Sequence, residues 1–219
     1  MEYNKTWKRK KDINATKELH VVSTGQQTAE TLVQIVAMIH KGVNKIHLRE
    51  KSWTAAELVR VIEALTDRGV PLEKIIVNDR VDIAHILGAN GVQLAHHSID
   101  ASLVMQAFSS LKIGCSIHSL DEAIKAEKKG VDYLLYGHIH CTRSKEGMTP
   151  RGLNNLRKLT QQVTIPVIAI GGITPENTHD TLAAGANGIA VMSGVFQADD
   201  PVRAVMNYRK AMHTQEVIL

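Results

Sequence analysis

The chain has 219 residues and a formal net charge of +4, from 26 Lys and Arg against 22 Asp and Glu. Six of the bases (Lys5, Lys8, Arg9, Lys10, Lys11, Lys17) and two of the acids (Glu2, Asp12) fall in residues 1–17, leaving 20 of each in the rest. A neutral body is no electrostatic footprint for nucleic acid, an aromatic content of 4% leaves little for base stacking, and no apolar run approaches the roughly 20 residues of a membrane span.

Residues 1–17 read as a basic, flexible extension and residues 18–219 as one domain, with no linker-like stretch inside it. The first residues are polar and lack the apolar stretch of a secretory signal. Cys115 and Cys141 stand apart with no CxxC spacing. They read as two reduced thiols in a cytoplasmic protein, which removes a disulfide framework as the organising principle.

Short apolar runs then alternate with helix-like segments. In chain order the runs are Leu19–Thr24, Lys45–Glu50, Lys74–Asp79, Gly91–Ala95, Lys112–Ile117, Tyr133–Gly137, Pro166–Gly171 and Gly188–Ser193. They are rich in Val and Ile, as strands buried on both faces are. Helix starts lie between them: Thr54 with Glu57 three residues on, Ser119 with Glu122 in the same relation, and Thr174-Pro175-Glu176. Gly69, Gly130 and Gly185 follow at helix ends. Eight strand–helix units in about 200 residues predict a (β/α)8 TIM barrel. The rival, an open doubly wound sheet, usually carries a glycine-rich first turn, and none follows the first run.

In such a barrel the chemistry gathers at the carboxyl ends of the strands. Those positions hold Arg49, Glu50 and Lys51 after the second strand, then Asn78, Asp79 and Arg80 after the third. Ser116, His118 and Ser119 follow the fifth strand, and the loop Gly137–Gly147 follows the sixth. Gly171 and Gly172 follow the seventh, and Met192, Ser193 and Gly194 the eighth. Backbone N–H groups in these last two turns, backed by a helix start, suit a phosphate. Thr142, Ser144 and Lys145 offer hydroxyls and an ammonium for oxyanions, and Arg49 and Lys51 alternate so that both can face the mouth.

Among the histidines, His40, His179 and His213 fall on helices with solvent-facing positions expected. His96 and His97 are adjacent and point opposite ways. His138 and His140 have chelate spacing without a fitting third ligand, so no metal site is expected there. A lone imidazole above a phosphate site can remove and return a proton near neutral pH.

Arg49-Glu50-Lys51, Asn78-Asp79-Arg80, Thr142-x-Ser144-Lys145, Ile170-Gly171-Gly172-Ile173 and Val191-Met192-Ser193 together resemble the thiamine phosphate synthase superfamily, over about residues 18–212. Its members are small (β/α)8 barrels, and its synthase joins a pyrimidine diphosphate to a thiazole phosphate using magnesium. The chain departs from the synthase pattern at three places. His47 replaces a Gln, Ser98 stands at the second of two metal-ligand aspartates while Asp79 keeps the first, and His138 replaces a Pro. The Gly137-His138 pair is similar to the thiazole tautomerase (TenI) branch.

That resemblance implies an isomerase without cofactor or metal, acting on a small phosphorylated thiazole carboxylate. His138 is then the catalytic base, with His140, at a Phe position, competing for the role. Gly171, Gly172, Met192, Ser193 and Gly194 hold the phosphate. Arg49, Lys51, Asn78, Ser116, Thr142, Ser144 and Lys145 line the substrate, and Arg49 or Lys51 steadies its carboxylate. A homodimer is left open, and neither nucleic acid nor a membrane is a partner. The magnesium-dependent synthase is the alternative, since Asp79, Arg49 and Lys51 survive. A catalytically idle regulatory protein is the third reading.

Overall fold

The computed structural model describes residues 16–213. The extension expected over residues 1–17 lies, through residue 15, outside the described residues. Lys17 belongs to the body, where its ammonium donates to the Ala186 carbonyl at 2.8 Å.

Eight parallel strands close on themselves: β1 (Glu18–Val22), β2 (Lys45–Leu48), β3 (Ile75–Asn78), β4 (Gly91–Leu94), β5 (Lys112–Ile117), β6 (Tyr133–Gly137), β7 (Val167–Ile170) and β8 (Gly188–Val191). Each pairs with its sequence neighbours, and β8 returns to β1 through Leu19 opposite Ile189. Helices α1 (Ala29–Ile39), α2 (Ala55–Asp67), α3 (Val81–Ile86), α4 (Ala101–Ala107), α5 (Leu120–Lys128), α6 (Gly152–Gln162) and α7 (Pro175–Ala183) connect them. Then α8 (Ser193–Phe196) and α9 (Pro201–His213) follow β8. The predicted (β/α)8 barrel is the fold.

Alternation along each strand builds two layers. Leu19, Val21, Ile46, Leu48, Ile75 and Val77 point outward into the apolar shell under the helices. Val22, Leu135, Ile168 and Ala190 point inward, with Ile170 and Met192 above them, and Tyr133 joins this smaller cluster. The inward positions of β1, β2 and β4 are different, being His20, His47 and Gln93, all buried. Gly114 on β5 makes room for this polar half. A Cβ there would stand 2.2 Å from the Tyr133 ring, well inside van der Waals contact.

The helix starts follow the sequence with one change. Thr54 and Glu57 form a reciprocal capping box, Thr54 accepting from the Glu57 N–H and Glu57 from the Thr54 N–H. Ser119 also accepts from the Glu122 N–H, at 3.2 Å. Glu122, however, reaches one residue further back and accepts from the His118 N–H at 2.7 Å. The reciprocal box expected at Ser119 is therefore absent, because Glu122 closes the strand end instead. His40, expected in solvent, is buried at the end of α1 and lies against Lys74, whose ammonium donates to its carbonyl.

Candidate active site

The carboxyl ends of the strands form one rim. Arg49 leaves β2 half-buried, its N–H donating to Ser23 Oγ at 2.8 Å, while Lys51 is exposed in the following turn. Glu50 between them does not pair with either at the surface. It turns inward against Ser23 and Gly25, and burial pushes its carboxyl up. The Arg49 charge acts on it in the opposite direction, pulling the carboxyl back down.

Asn78 ends β3 with its Oδ1 buried and without a partner among the described residues. Across β4, the Gln93 amide donates to Ser116 Oγ at 3.0 Å and Gln93 Oε1 accepts from the Tyr133 hydroxyl at 2.7 Å. Ser116 is thereby fixed at the end of β5. His118 donates through Nδ1 to the Gly137 carbonyl at 2.9 Å, tying the end of β5 to β6.

The loop after β6 separates the two competing histidines. His138 is 5% exposed, and its Nε2–H donates to the Met148 carbonyl at 3.2 Å. His140 goes the other way, its Nε2 meeting Thr181 Oγ1 on α7 at 3.0 Å; burial lowers its pKa. Alternation alone would aim both inward, but the loop remains paired to β7, with the Ile139 and His140 N–H groups donating to Ile170 and Gly171. Thr142 and Ser144 share a hydroxyl contact at 3.2 Å, and Ser144 and Lys145 are exposed on a short 3-10 turn.

Gly171 and Gly172 both have positive φ, 98° and 66°. They also make room for the β6 loop, since a Cβ on Gly172 would lie 2.2 Å from the Cys141 carbonyl oxygen. Next to them β8 ends at Val191, Met192 caps α8, and Ser193 and Gly194 open that helix exposed to solvent. First-turn N–H groups have no intrahelical acceptor. The expected phosphate residues are thus neighbours at the ends of β7 and β8, with only β1 between β8 and the β2 end that carries Arg49 and Lys51.

The magnesium of the superfamily's synthase tests the residues beside β3 and β4. Asp79, at φ 65°, is exposed and its carboxylate lies 3.8 Å from His97 Nε2. Ser98 is used locally, its Oγ accepting from the Ala95 N–H at 2.8 Å. Among the described residues no three His, Cys, Asp or Glu side chains converge as a metal site. These residues do not fit an ion held by two carboxylates.

A single-domain (β/α)8 barrel with its polar side chains and glycine turns on one rim defines the class of molecule. The sequence model of the family described as Thiamine monophosphate synthase matches residues 19–195, and the chain belongs to that family. It is 35% identical over 194 residues to the thiamine-phosphate synthase of Pyrococcus furiosus, covering 88% of this chain and 93% of that one. It is 39% identical over 191 residues to the thiamine-phosphate synthase of Chloroflexus aurantiacus, covering 84% and 87%. Among solved structures, the thiamine phosphate pyrophosphorylase from Pyrococcus furiosus superposes with a TM-score of 0.77 at 32% identity, covering 90% of this chain and 96% of that one.

These relatives correct the enzyme class. An isomerase was expected from the Gly137-His138 pair, yet the curated relatives are named for a synthase, which is a transferase. The pair is one loop detail, whereas the likeness to the synthases spans most of the chain. The tie to thiamine biosynthesis stands. No helix among the described residues is long and apolar enough to cross a membrane.

His20 escaped the sequence reading, and so did its pairing with His47, which was noted there only as replacing a Gln. His20 and His47 touch inside the barrel, Nδ1 to Nε2, at 3.0 Å. Their signal was alternation: both occupy inward positions on neighbouring strands, two residues apart in register, with His20 beside Lys45 and Val22 beside His47.

Proposed function

We propose that the chain is a thiamine-phosphate synthase, a transferase that joins a pyrimidine diphosphate to a thiazole phosphate. The observation that carries this reading is its identity of 35–39% to proteins of that name along nearly their whole length. In the reaction the thiazole nitrogen lone pair forms a C–N bond to the pyrimidine methylene carbon. The C–O bond to the diphosphate breaks, and its electron pair leaves with pyrophosphate.

The residues' roles follow from charge. Arg49, Lys51 and Lys145 meet the diphosphate, where negative charge grows as the C–O bond breaks. The N–H groups of Gly171, Gly172, Ser193 and Gly194, with Met192 shaping the turn, hold the thiazole phosphate. Asn78, Ser116, Thr142 and Ser144 orient the rings and the phosphate oxygens. Fixing two reactants side by side supplies much of the rate, since the nucleophile is a neutral lone pair. No proton leaves the thiazole nitrogen, so His138 has no base role; it packs the β6 loop against β7.

Arg49→Ala and Lys145→Ala test this assignment in an assay with both substrates in magnesium-containing buffer. Thiamine phosphate forms with wild type and more slowly with each variant. Unchanged rates in both variants would remove the diphosphate role from these cations.

A further inference from the structure

Below the rim, three side chains from β1 and β2 form one hydrogen-bonded chain. His20 Nε2 lies 2.7 Å from Glu18 Oε2, and His20 Nδ1 lies 3.0 Å from His47 Nε2. The polarity of each bond follows from what the partners can offer. The Glu18 carboxylate only accepts, so His20 Nε2 carries the proton. Burial holds His20 in its neutral form, which leaves a lone pair on its Nδ1. That lone pair accepts from His47 Nε2–H. His47 is neutral too, for the same reason, so its own lone pair sits on Nδ1.

This last atom is where the chain ends. His47 is 0% exposed, and its Nδ1 has no partner among the described residues. The next inward position on the neighbouring strand is Asn78, two residues beyond Ile76, which pairs with His47. Asn78 Oδ1 is a second buried acceptor without a partner. Buried acceptors are costly to leave unmatched, and the register puts these two at successive inward levels of neighbouring strands.

We propose that Glu18 and His20 are positioning residues that lock His47 in the Nε2–H tautomer and thereby present its Nδ1 lone pair, beside Asn78 Oδ1, to an N–H donor on the ring of the bound ligand. A heterocycle with an exocyclic amino group satisfies these acceptors; a ring bearing only acceptor atoms does not. The ligand half rests on the pyrimidine diphosphate reading, whereas the tautomer lock is a property of the chain alone. Glu18, half-exposed at the opposite end of the barrel, thus acts on ligand recognition without touching ligand.

Long-range proton–nitrogen correlation on the 15N-labelled full chain reads the tautomer directly. The signals missing in His47→Gln identify the ring. In wild type it shows a pyridine-type Nδ1 and a pyrrole-type Nε2. Glu18→Ala mixes the two forms, and Glu18→Gln, whose amide oxygen still accepts from His20, restores the wild-type pattern. As probes, 4-aminopyrimidine binds about ten-fold more tightly than unsubstituted pyrimidine, the worth of about one hydrogen bond, and moves the Nδ1 signal; Glu18→Ala narrows that preference. A wild-type ring protonated at Nδ1, or equal binding of the two probes, overturns the proposal. If tautomer and preference are as stated but no thiamine phosphate forms with the two substrates, the lock stands supported and the substrate reading is what fails.

Discussion

A Cβ on Gly171 would stand 2.4 Å from the Cβ of His138. The seventh and sixth strands therefore close on each other at the rim only because position 171 carries no side chain, and it does so at φ 98°. Gly171→Ala combines backbone strain with a clash and is expected to cost about 2–4 kcal/mol. Urea unfolding monitored by circular dichroism measures it. A midpoint within error of wild type would show that the β6 loop yields easily.

His138→Ala separates the two chemistries that this loop suggested. In the transfer reaction no proton is removed from the thiazole nitrogen, so the variant keeps its kcat for thiamine phosphate formation within about three-fold, less than 1 kcal/mol of barrier. Steady-state kinetics on the folded variant decide. A loss of several hundred-fold would require a proton-transfer role for this imidazole.

Arg49→Ala is expected to lower kcat/KM about 10–100-fold, the scale of a charge-assisted hydrogen bond to a phosphate oxygen. Arg49→Lys keeps the charge and loses the two-pronged geometry, so it falls between. Equal rates for the three proteins would place the diphosphate elsewhere on the rim.

The buried histidines set a pH dependence of stability. Burial lowers the pKa of both His20 and His47, so both are neutral in the fold and titrate near 6.5 when unfolded. Stability is fully present above that unfolded value. As pH falls below it, the unfolded chain takes up protons the fold refuses, and stability drops by up to about 1.4 kcal/mol per pH unit for each group. Glu50 works the other way, because burial raises its carboxyl and the fold then binds a proton first. Its contribution begins above the ordinary carboxylate pKa and has the opposite sign. Urea titrations between pH 7.5 and 5.5 should show the loss, with a shallower slope in His47→Gln. Identical slopes would mean that the pair is solvated.

The fold was legible because strands such as Pro166–Gly171 and Gly188–Ser193 are apolar at nearly every position, as burial on both faces demands. Their ends, and hence the rim, followed directly. The interior was less legible. His20 interrupts an otherwise apolar run and His47 lies in the partly charged run Lys45–Glu50, and neither gives a sign of a partner 27 positions away. The divergence of His138 and His140 was also hidden, since it depends on pairing between the β6 loop and β7 and not on local alternation. The enzyme class was misread for a related reason. The Gly137-His138 pair and the departures at His47 and Ser98 are local, whereas the agreement with the synthases runs along most of the chain.

The transferase claim meets its most direct test in a single stoichiometric measurement. Purified full-length protein is incubated with the pyrimidine diphosphate and the thiazole phosphate in magnesium-containing buffer, and thiamine phosphate and pyrophosphate are quantified together. Both are expected in equal amounts, and neither when the thiazole phosphate is omitted. Absence of thiamine phosphate from an incubation with folded protein and both substrates would contradict the transferase claim.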